Sequence, residues 1–535
     1  MDRPLGPRAR WLGSAWGRGA TAALAGALPA LTFPAPSWWW LAYVALVPWL
    51  LLVRTAPTPR RAALDGWLGG AGFMLAVHHW LLPSLHVFIL VLALLLGALW
   101  APWGLLVRAL LGGTPRAGRA AAALVLVPSG WLMVELVRSW EYLGGPWGLL
   151  GASQWQVAPA LRLASIGGVW LLSFLIVVVN TALAELIARR SARRPAVAGL
   201  LVCALAGGGA WCVAPAPRPA GTVRIAVVQP GPDGTPTQRL ARSEALTRSL
   251  AGRGVHLVVW GESSMYQDPA DRPALAARLA ALSRETGADL LVNADSRRAG
   301  RPGIYKSAVL IGPHGPTGDR YAKRRLVPFG EYIPFRSVLG WATKVGKAAT
   351  TDRIRGTHQV VMPVATAGGL RIGPLVCFET AFPDLSRRLV RGGAQVIVAQ
   401  SSTSTFQDSW APGQHASLGA LRAAETWRPM VHATLTGVSA VYGPRGERIG
   451  GTLGTDRSAA AVYDLPLAAG TSPYARFGDW VPYGAVGALV LAGAWAGGRR
   501  LHSRRPGGRT PRSPEPGGRA ARPGRLSERP ARPRR

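Results

Sequence analysis

The chain has 535 residues, of which 49% are hydrophobic and 22 are Trp, and a formal net charge of +35. So much apolar content, gathered into long runs, excludes a purely soluble globular protein and leaves room for two or three domains. The charge sits at the chain ends and in short loops between apolar runs, so nucleic acid is not its partner.

Arg3, Arg8, Arg10 and Arg18 make residues 1–18 a basic N-terminus. From there to 213 the chain is a series of 15- to 25-residue apolar runs broken by short loops, the pattern of membrane-spanning helices. Seven spans are predicted, at 19–33, 37–53, 63–82, 86–107, 120–138, 163–187 and 195–213, with an eighth within 481–498. Alternate loops carry the arginines: Arg54, Arg60 and Arg61, then Arg108, Arg116 and Arg119, then a cluster at 189–194. The intervening loops at 33–40 and 140–156 carry very little positive charge. The positive-inside rule therefore puts the N-terminus in the cytoplasm, and seven crossings put residues 223–480 outside. The tail at 499–535 is almost entirely Arg, Pro, Gly and Ser, a composition predicting cytoplasmic disorder and attraction to anionic headgroups. Trp38, Trp39 and Trp40 read as an interfacial belt, His78 and His79 as structural or interfacial groups, and Glu135 and Glu141 as helix-end anchors.

A Pro-rich linker at 214–222 precedes a domain at 223–480 of different character. Strands are predicted at 224–229, 256–260, 289–293, 307–311, 371–378, 394–399, 430–434 and 439–442. Helices are predicted at 237–251, 272–286 and 412–426, so the domain is a layered α/β unit.

Three segments carry chemistry to strand ends or loops: LVVWGESS at 257–264, YAKRRLVPFGEYIP at 321–334 and RIGPLVCFE at 371–379. The first presents Glu262, a carboxylate suited to general-base work in a dry cleft. The second supplies Lys323 and Glu331. With only four lysines, Lys306, Lys323, Lys344 and Lys347, against 57 arginines (61 − 4), a retained lysine marks a task for a compact ammonium. The third ends on Cys377. Cys203 and Cys212 lie in a membrane-type run, so no disulfide framework is expected and Cys377 reads as a nucleophile. Glu262 would take its proton, while Lys323 and the Phe378 N–H would hold a developing oxyanion. Attack on an ester or amide leaves a thioester, which either an amine or water can resolve.

These three motifs, in this order and separation, resemble the Glu-Lys-Cys signature of the carbon–nitrogen hydrolase (nitrilase) superfamily. Seven spans before that domain, one after it, LVPFGEYIP and YARFG at 474–478 resemble the apolipoprotein N-acyltransferase family within it. The resemblance covers about 15–498. It implies an eight-helix transmembrane domain joined to an extracytoplasmic αββα sandwich in the cell membrane. It also implies transfer of an acyl chain from a membrane phospholipid, through a Cys377 thioester, to the α-amino group of the diacylglyceryl-cysteine of an apolipoprotein. Glu262, Lys323 and Cys377 would be catalytic, with Glu331 and Glu379 as supporting carboxylates. No cofactor or metal is implied, and no P-loop, GxSxG elbow or paired-Cys zinc site is present. The chain departs from the family pattern at Ser402–Thr405, at Leu435–Gly437, at Phe378 in place of Tyr, at Gly261 in place of Pro, and near Gln229, where a Trp is missing. The flanking Asp408, Pro412, Gln414 and His415 are in place. Two other readings remain open: a membrane-anchored amidase using the same residues, and an inactive lipid-binding scaffold.

Overall fold

The structure, a computed structural model, describes residues 14–503 apart from 115, 189, 299 and 341–348. The predicted basic tail beyond 503, most of the basic N-terminus, and Lys344 and Lys347 lie outside the described residues, and the tail's first residues continue the last helix rather than standing as a separate segment. Among the described residues, those up to Leu489 form one compact unit and a second begins at Val490.

The helical region runs α1 (Ala15–Ala27), α2 (Val47–Arg54), α3 (Pro59–Val77), α4 (Phe88–Gly97), α5 (Trp100–Leu111), α6 (Ala117–Arg138), α7 (Ala158–Ala188) and α8 (Arg193–Val213). Its core is aromatic, with Trp49, Trp100, Trp103 and Trp131 buried together and ring centroids 4.9–6.4 Å apart. Edge-on and tilted ring pairs of this kind contribute beyond the area they bury. Asp65, fully buried, is held by Arg18 and Arg61 at 2.8 Å each, the pairing a buried carboxylate requires.

Among the described residues, four helices are long and apolar enough to cross a membrane: α6, α7, α8 and the first part of α13 (Trp480–Ser503), at Trp480–Arg499. The pair α4 and α5, bent by 41°, makes a fifth if counted as one span. The predicted runs at 19–33 and 37–53 are broken. Pro29 falls where α1 tightens into a 3-10 turn at Leu28–Thr32, and the second run divides into a 3-10 turn at Trp39–Tyr43 and α2. Helix α7 also breaks, at Gly168 (φ 69°, ψ −174°), where a Cβ would stand 2.6 Å from the Tyr474 ring.

The strands that follow are β1 (Arg218–Gln229), β2 (Leu257–Trp260), β3 (Asp289–Arg298), β4 (Arg301–Gly312), β5 (Gly315–Ala322), β6 (Met362–Val364), β7 (Leu370–Val376), β8 (Val396–Ser401), β9 (Met430–Thr434), β10 (Ala440–Tyr442) and β11 (Ala459–Ala469). They form two sheets, ordered β11-β1-β2-β3-β4-β5 and β10-β9-β8-β7-β6. Strand alternation builds the layers. Val223, Ile225 and Val227 of β1 share a core with Val396 and Val398 of β8, between the sheets. Ala226 and Val228 face the other way, onto Leu275, Leu279 and Leu282 of α10 (Pro273–Thr286), which follows α9 (Pro236–Arg248) on that side. Ile397 and Ala399 pack on Leu385 and Leu389 of α11 (Pro383–Arg391) and Leu418 and Leu421 of α12 (Ala411–Thr426).

The result is the expected αββα sandwich. The core that covers the second sheet continues into α2, α3, α5, α6 and α7, so the sandwich packs on the helical region over a shared apolar surface. Strand β1 reaches back to Arg218, taking in half of the predicted linker.

Candidate active site

Parallel strands β7 and β8 aim their C-terminal ends at one edge of the sandwich, and the residue after β7 is Cys377. Its φ of +54° is in the left-handed region, unusual for a residue with a Cβ and the kind of strain that functional sites retain. Two buried side chains hold this turn. Glu379 accepts from the Val376 N–H at 2.8 Å, and with its other oxygen from Tyr321 Oη at 2.7 Å, the Arg324 N–H at 2.8 Å and the Arg325 N–H at 3.1 Å. One carboxylate therefore locks the turn after β7 to the segment carrying Lys323. His415 Nε2 bonds the Cys377 carbonyl at 2.9 Å from α12. The thiol points at the Ser402 carbonyl, 3.9 Å away. Phe378 is the second residue of the 3-10 turn Cys377–Ala381, so its N–H is the first amide beyond the thiol.

Glu262 follows β2 and is buried, its N–H donating to the Ser401 carbonyl of β8 at 3.1 Å. Its Oε1 accepts from Lys306 Nζ at 2.8 Å and Lys323 Nζ at 3.2 Å. Lys323, 1% exposed, donates also to Glu331 Oε1 at 2.7 Å, and Glu331 Oε2 takes the Val327 N–H at 2.8 Å. Burial favours a neutral Glu262, but Lys306, Lys323 and the Cys377 thiol overcome it and hold the carboxyl at about 2. Burial likewise disfavours charge on Lys323, and Glu262 and Glu331 more than reverse it, raising its pKa well above the usual range. Burial first, then Glu262, pushes the Cys377 thiol up to about 12, against the opposing pull of Lys323. The resting site thus holds a neutral thiol beside an ionised carboxylate and an ammonium. Such a set can take a proton from sulfur as sulfur attacks a carbonyl, and can receive the negative charge that forms on oxygen.

The structure brings Glu262, Lys323, Cys377, Glu331 and Glu379 together. Sequence reasoning missed Lys306 as a site residue and gave His415 no role. The scarcity of lysine pointed to Lys306 as much as to Lys323. Its mid-strand place, opposite Asp295 in the register of β3 and β4, is a non-local fact. Glu141 accepts from Arg355 at 2.5 Å and lies 3.4 Å from Arg325, tying the end of the fifth predicted span to the loop after Lys323. Trp147 donates to Gln414 Oε1 at 2.8 Å and its ring lies 5.5 Å from that of His415.

Residues 25–182 match the family model described as "Apolipoprotein N-acyltransferase N-terminal domain", and residues 224–472 match "Carbon-nitrogen hydrolase". A relative named apolipoprotein N-acyltransferase, from Geobacter metallireducens, is 32% identical over 88% of this chain and 94% of its own. The chain belongs to the apolipoprotein N-acyltransferase family. A second relative of that name, from Azotobacter vinelandii, is 31% identical over 92% of this chain and 98% of its own. A solved variant of the Nesterenkonia AN1 amidase of the nitrilase superfamily is 19% identical, with a TM-score of 0.35, covering 49% of this chain and 96% of that one.

Gly261 and the segment beginning at Leu435 approach each other closely. A Cβ on Gly261 would lie 1.9 Å from the Leu435 backbone nitrogen, so the residue before Glu262 has no room for a side chain against this 434–437 segment. Gly261→Ala is expected to destabilise the protein by ~3 kcal/mol and to slow the chemistry by displacing Glu262. Thermal unfolding read beside single-turnover rate checks both.

His415 gives a pH prediction. Burial lowers its pKa to about 4, whereas an unfolded histidine titrates near ~6.5. As pH falls through that window the unfolded chain gains a proton that the folded chain refuses, so stability is lost, by up to ~3 kcal/mol. His432, lowered the same way, adds to the slope. Denaturation midpoints followed from pH 7 to pH 4 should fall steeply in wild type and less steeply in His415→Gln.

Proposed function

We propose that this protein transfers an acyl chain from a membrane phospholipid to the α-amino group of the diacylglyceryl-cysteine that begins an apolipoprotein. The observation that carries the reading is where Cys377 lies. It stands on a carbon–nitrogen hydrolase sandwich, yet the residues beside it are packed by the apolar helical region, through Trp147 on His415 and through the loop at Gly145, which runs against Phe378 and Phe382. A lipid donor needs such a seam; a small soluble amide does not.

Glu262 is the base, Lys323 the oxyanion cation and Cys377 the nucleophile. Sulfur attacks the ester carbonyl while its proton passes to Glu262, and Lys323 with the Phe378 N–H holds the oxyanion. Collapse breaks the ester C–O bond, Glu262 returns the proton to the departing lysophospholipid oxygen, and a thioester remains. The acceptor amine then attacks the thioester, loses a proton to Glu262 and expels the thiolate, which is reprotonated. Glu331 positions Lys323, and Glu379 positions the turn after β7. The amine must reach the thioester before water does, which an apolar seam favours.

The topology in this reading has seven spans within 19–213, one at 481–498 and both termini in the cytoplasm. The linker at 214–222 and the domain at 223–480 lie outside, where a lipid-modified substrate arrives. Large exposed apolar side chains on α8, among them Leu201, Val202 and Leu205, suit contact with acyl chains.

The test supplies phospholipid vesicles and a synthetic diacylglyceryl-cysteine peptide to the full-length protein. Formation of an N-acyl amide on the peptide is the expected product. Release of free fatty acid with an unmodified peptide would mean a hydrolase.

A further inference from the structure

Lys306 sits mid-strand in β4 and reaches the same oxygen of Glu262 that Lys323 takes, at 2.8 Å against 3.2 Å. It lies 3.3 Å from Glu331 and 3.9 Å from Asp295, the residue opposite it on β3. Asp295 is in turn held by Arg353 at 2.9 and 3.1 Å, so Lys306 has a fixed neighbour behind it and Glu262 in front. Its side chain is 14% exposed, whereas that of Lys323 is fully enclosed, so Lys306 stands toward the open side of the cluster.

We infer that Lys306 is a positioning residue for the base: together with Lys323 it pins Oε1 of Glu262 and leaves Oε2 to receive the thiol proton. Two ammoniums on one oxygen fix the carboxylate plane, which a single flexible lysine does not. The groups acting on Glu262 are Lys306 from β4, with Asp295 behind it on β3, Lys323 and Glu331 from the loop after β5, Cys377 after β7, His415 from α12 and, at longer range, Arg353. Of the two cations bonded to Glu262, Lys306 acts on the Cys377 thiol less than Lys323 does, so its contribution is orientation and charge on the base. The identity of Glu262 as the base rests on the function proposed above.

The experiment uses the full-length protein, wild type and with Lys306→Met, Lys306→Gln and Lys306→Arg. Iodoacetamide alkylation of Cys377 is followed from pH 2 to pH 10 by peptide mass spectrometry, which separates it from Cys203 and Cys212. Acyl-enzyme formation from phospholipid is timed alongside. Lys306 holds the Glu262 carboxyl down, so without it the Glu-Cys pair takes up its second proton at higher pH. The acid limb of alkylation in Lys306→Met and Lys306→Gln should therefore move up by at least one unit. Their acyl-enzyme rate should fall at least tenfold with the half-saturating lipid concentration changed less than threefold, and Lys306→Arg should return the limb toward wild type. An unmoved limb in both neutral variants, or an equal displacement in Lys306→Arg, overturns the inference. Alkylation needs no lipid, so failure of acyl transfer in wild type would count against the proposed function and leave this result standing.

Discussion

Cys377→Ala is expected to abolish acyl-enzyme and amide product together, a fall of at least about 10⁴-fold in kcat. No other described thiol can substitute. Cys203 is packed among helices, near Leu124 and Val178, and Cys212 lies in the last turn of α8, both on spans rather than at the Glu262–Lys323 cluster. The turn should survive, because Glu379 and His415 hold it through the backbone at Val376 N–H and the Cys377 carbonyl, neither of which the substitution removes. Stability should change by less than ~1 kcal/mol, since alanine loses the long thiol contact to Ser402 and the thiol's interaction with Glu262, which keeps both its lysines. Turnover measured with unfolding on the same preparation separates chemistry from folding. A variant that still N-acylates the peptide would place the nucleophile elsewhere.

Lys323→Met should damage both stability and rate. It removes the buried ammonium between Glu262 and Glu331, leaving two enclosed carboxylates to share Lys306. Breaking a buried ion pair by removing one partner costs about 3–5 kcal/mol. Losing an oxyanion donor costs about 10²–10³ in rate. Lys323→Arg should recover part of the stability and little of the rate, because a planar fork cannot reproduce a compact ammonium in a pocket closed by Glu262 and Glu331. Thermal unfolding with single-turnover acylation reads the two effects separately. Wild-type acylation in Lys323→Met would remove Lys323 from the mechanism.

The sandwich was legible where strands are buried on both faces. Strand β9 runs Met430–Thr434, the predicted span, and β1, β2, β3, β4, β7 and β8 all contain or overlap predicted runs. The three strands without a prediction are β5, β6 and β11, and each lies at the edge of its sheet. An edge strand need not be apolar throughout: β5 carries two glycines and a proline, β6 is three residues long, and β11 tolerates Pro466 in its pairing with β1. The helical region was legible as apolar runs and less so as whole helices, because composition does not show where Pro29 tightens α1 or where Gly168 opens α7 for the Tyr474 ring.

In the site, Glu262 and Cys377 could be found because a polar residue at the end of an apolar strand stands out, and Lys323 because lysine is scarce in this chain. Lys306 and His415 were hidden by their surroundings. One alternates with buried neighbours in mid-strand and the other lies on a helix whose residues are nearly all buried, so neither differs locally from a structural side chain. The contact between Gly261 and Leu435 was out of reach for the same reason, since it joins positions 174 residues apart (435 − 261) across two sheets.

The central claim is that Cys377 carries the acyl chain, and the most direct test is the intact mass of wild-type protein incubated with phospholipid and no acceptor. The account predicts a mass increase of one acyl group on Cys377, removed by hydroxylamine and discharged as an amide when a diacylglyceryl-cysteine peptide is added. Protein that stays unmodified with every phospholipid supplied, while the peptide is nonetheless N-acylated when present, would contradict the thioester route.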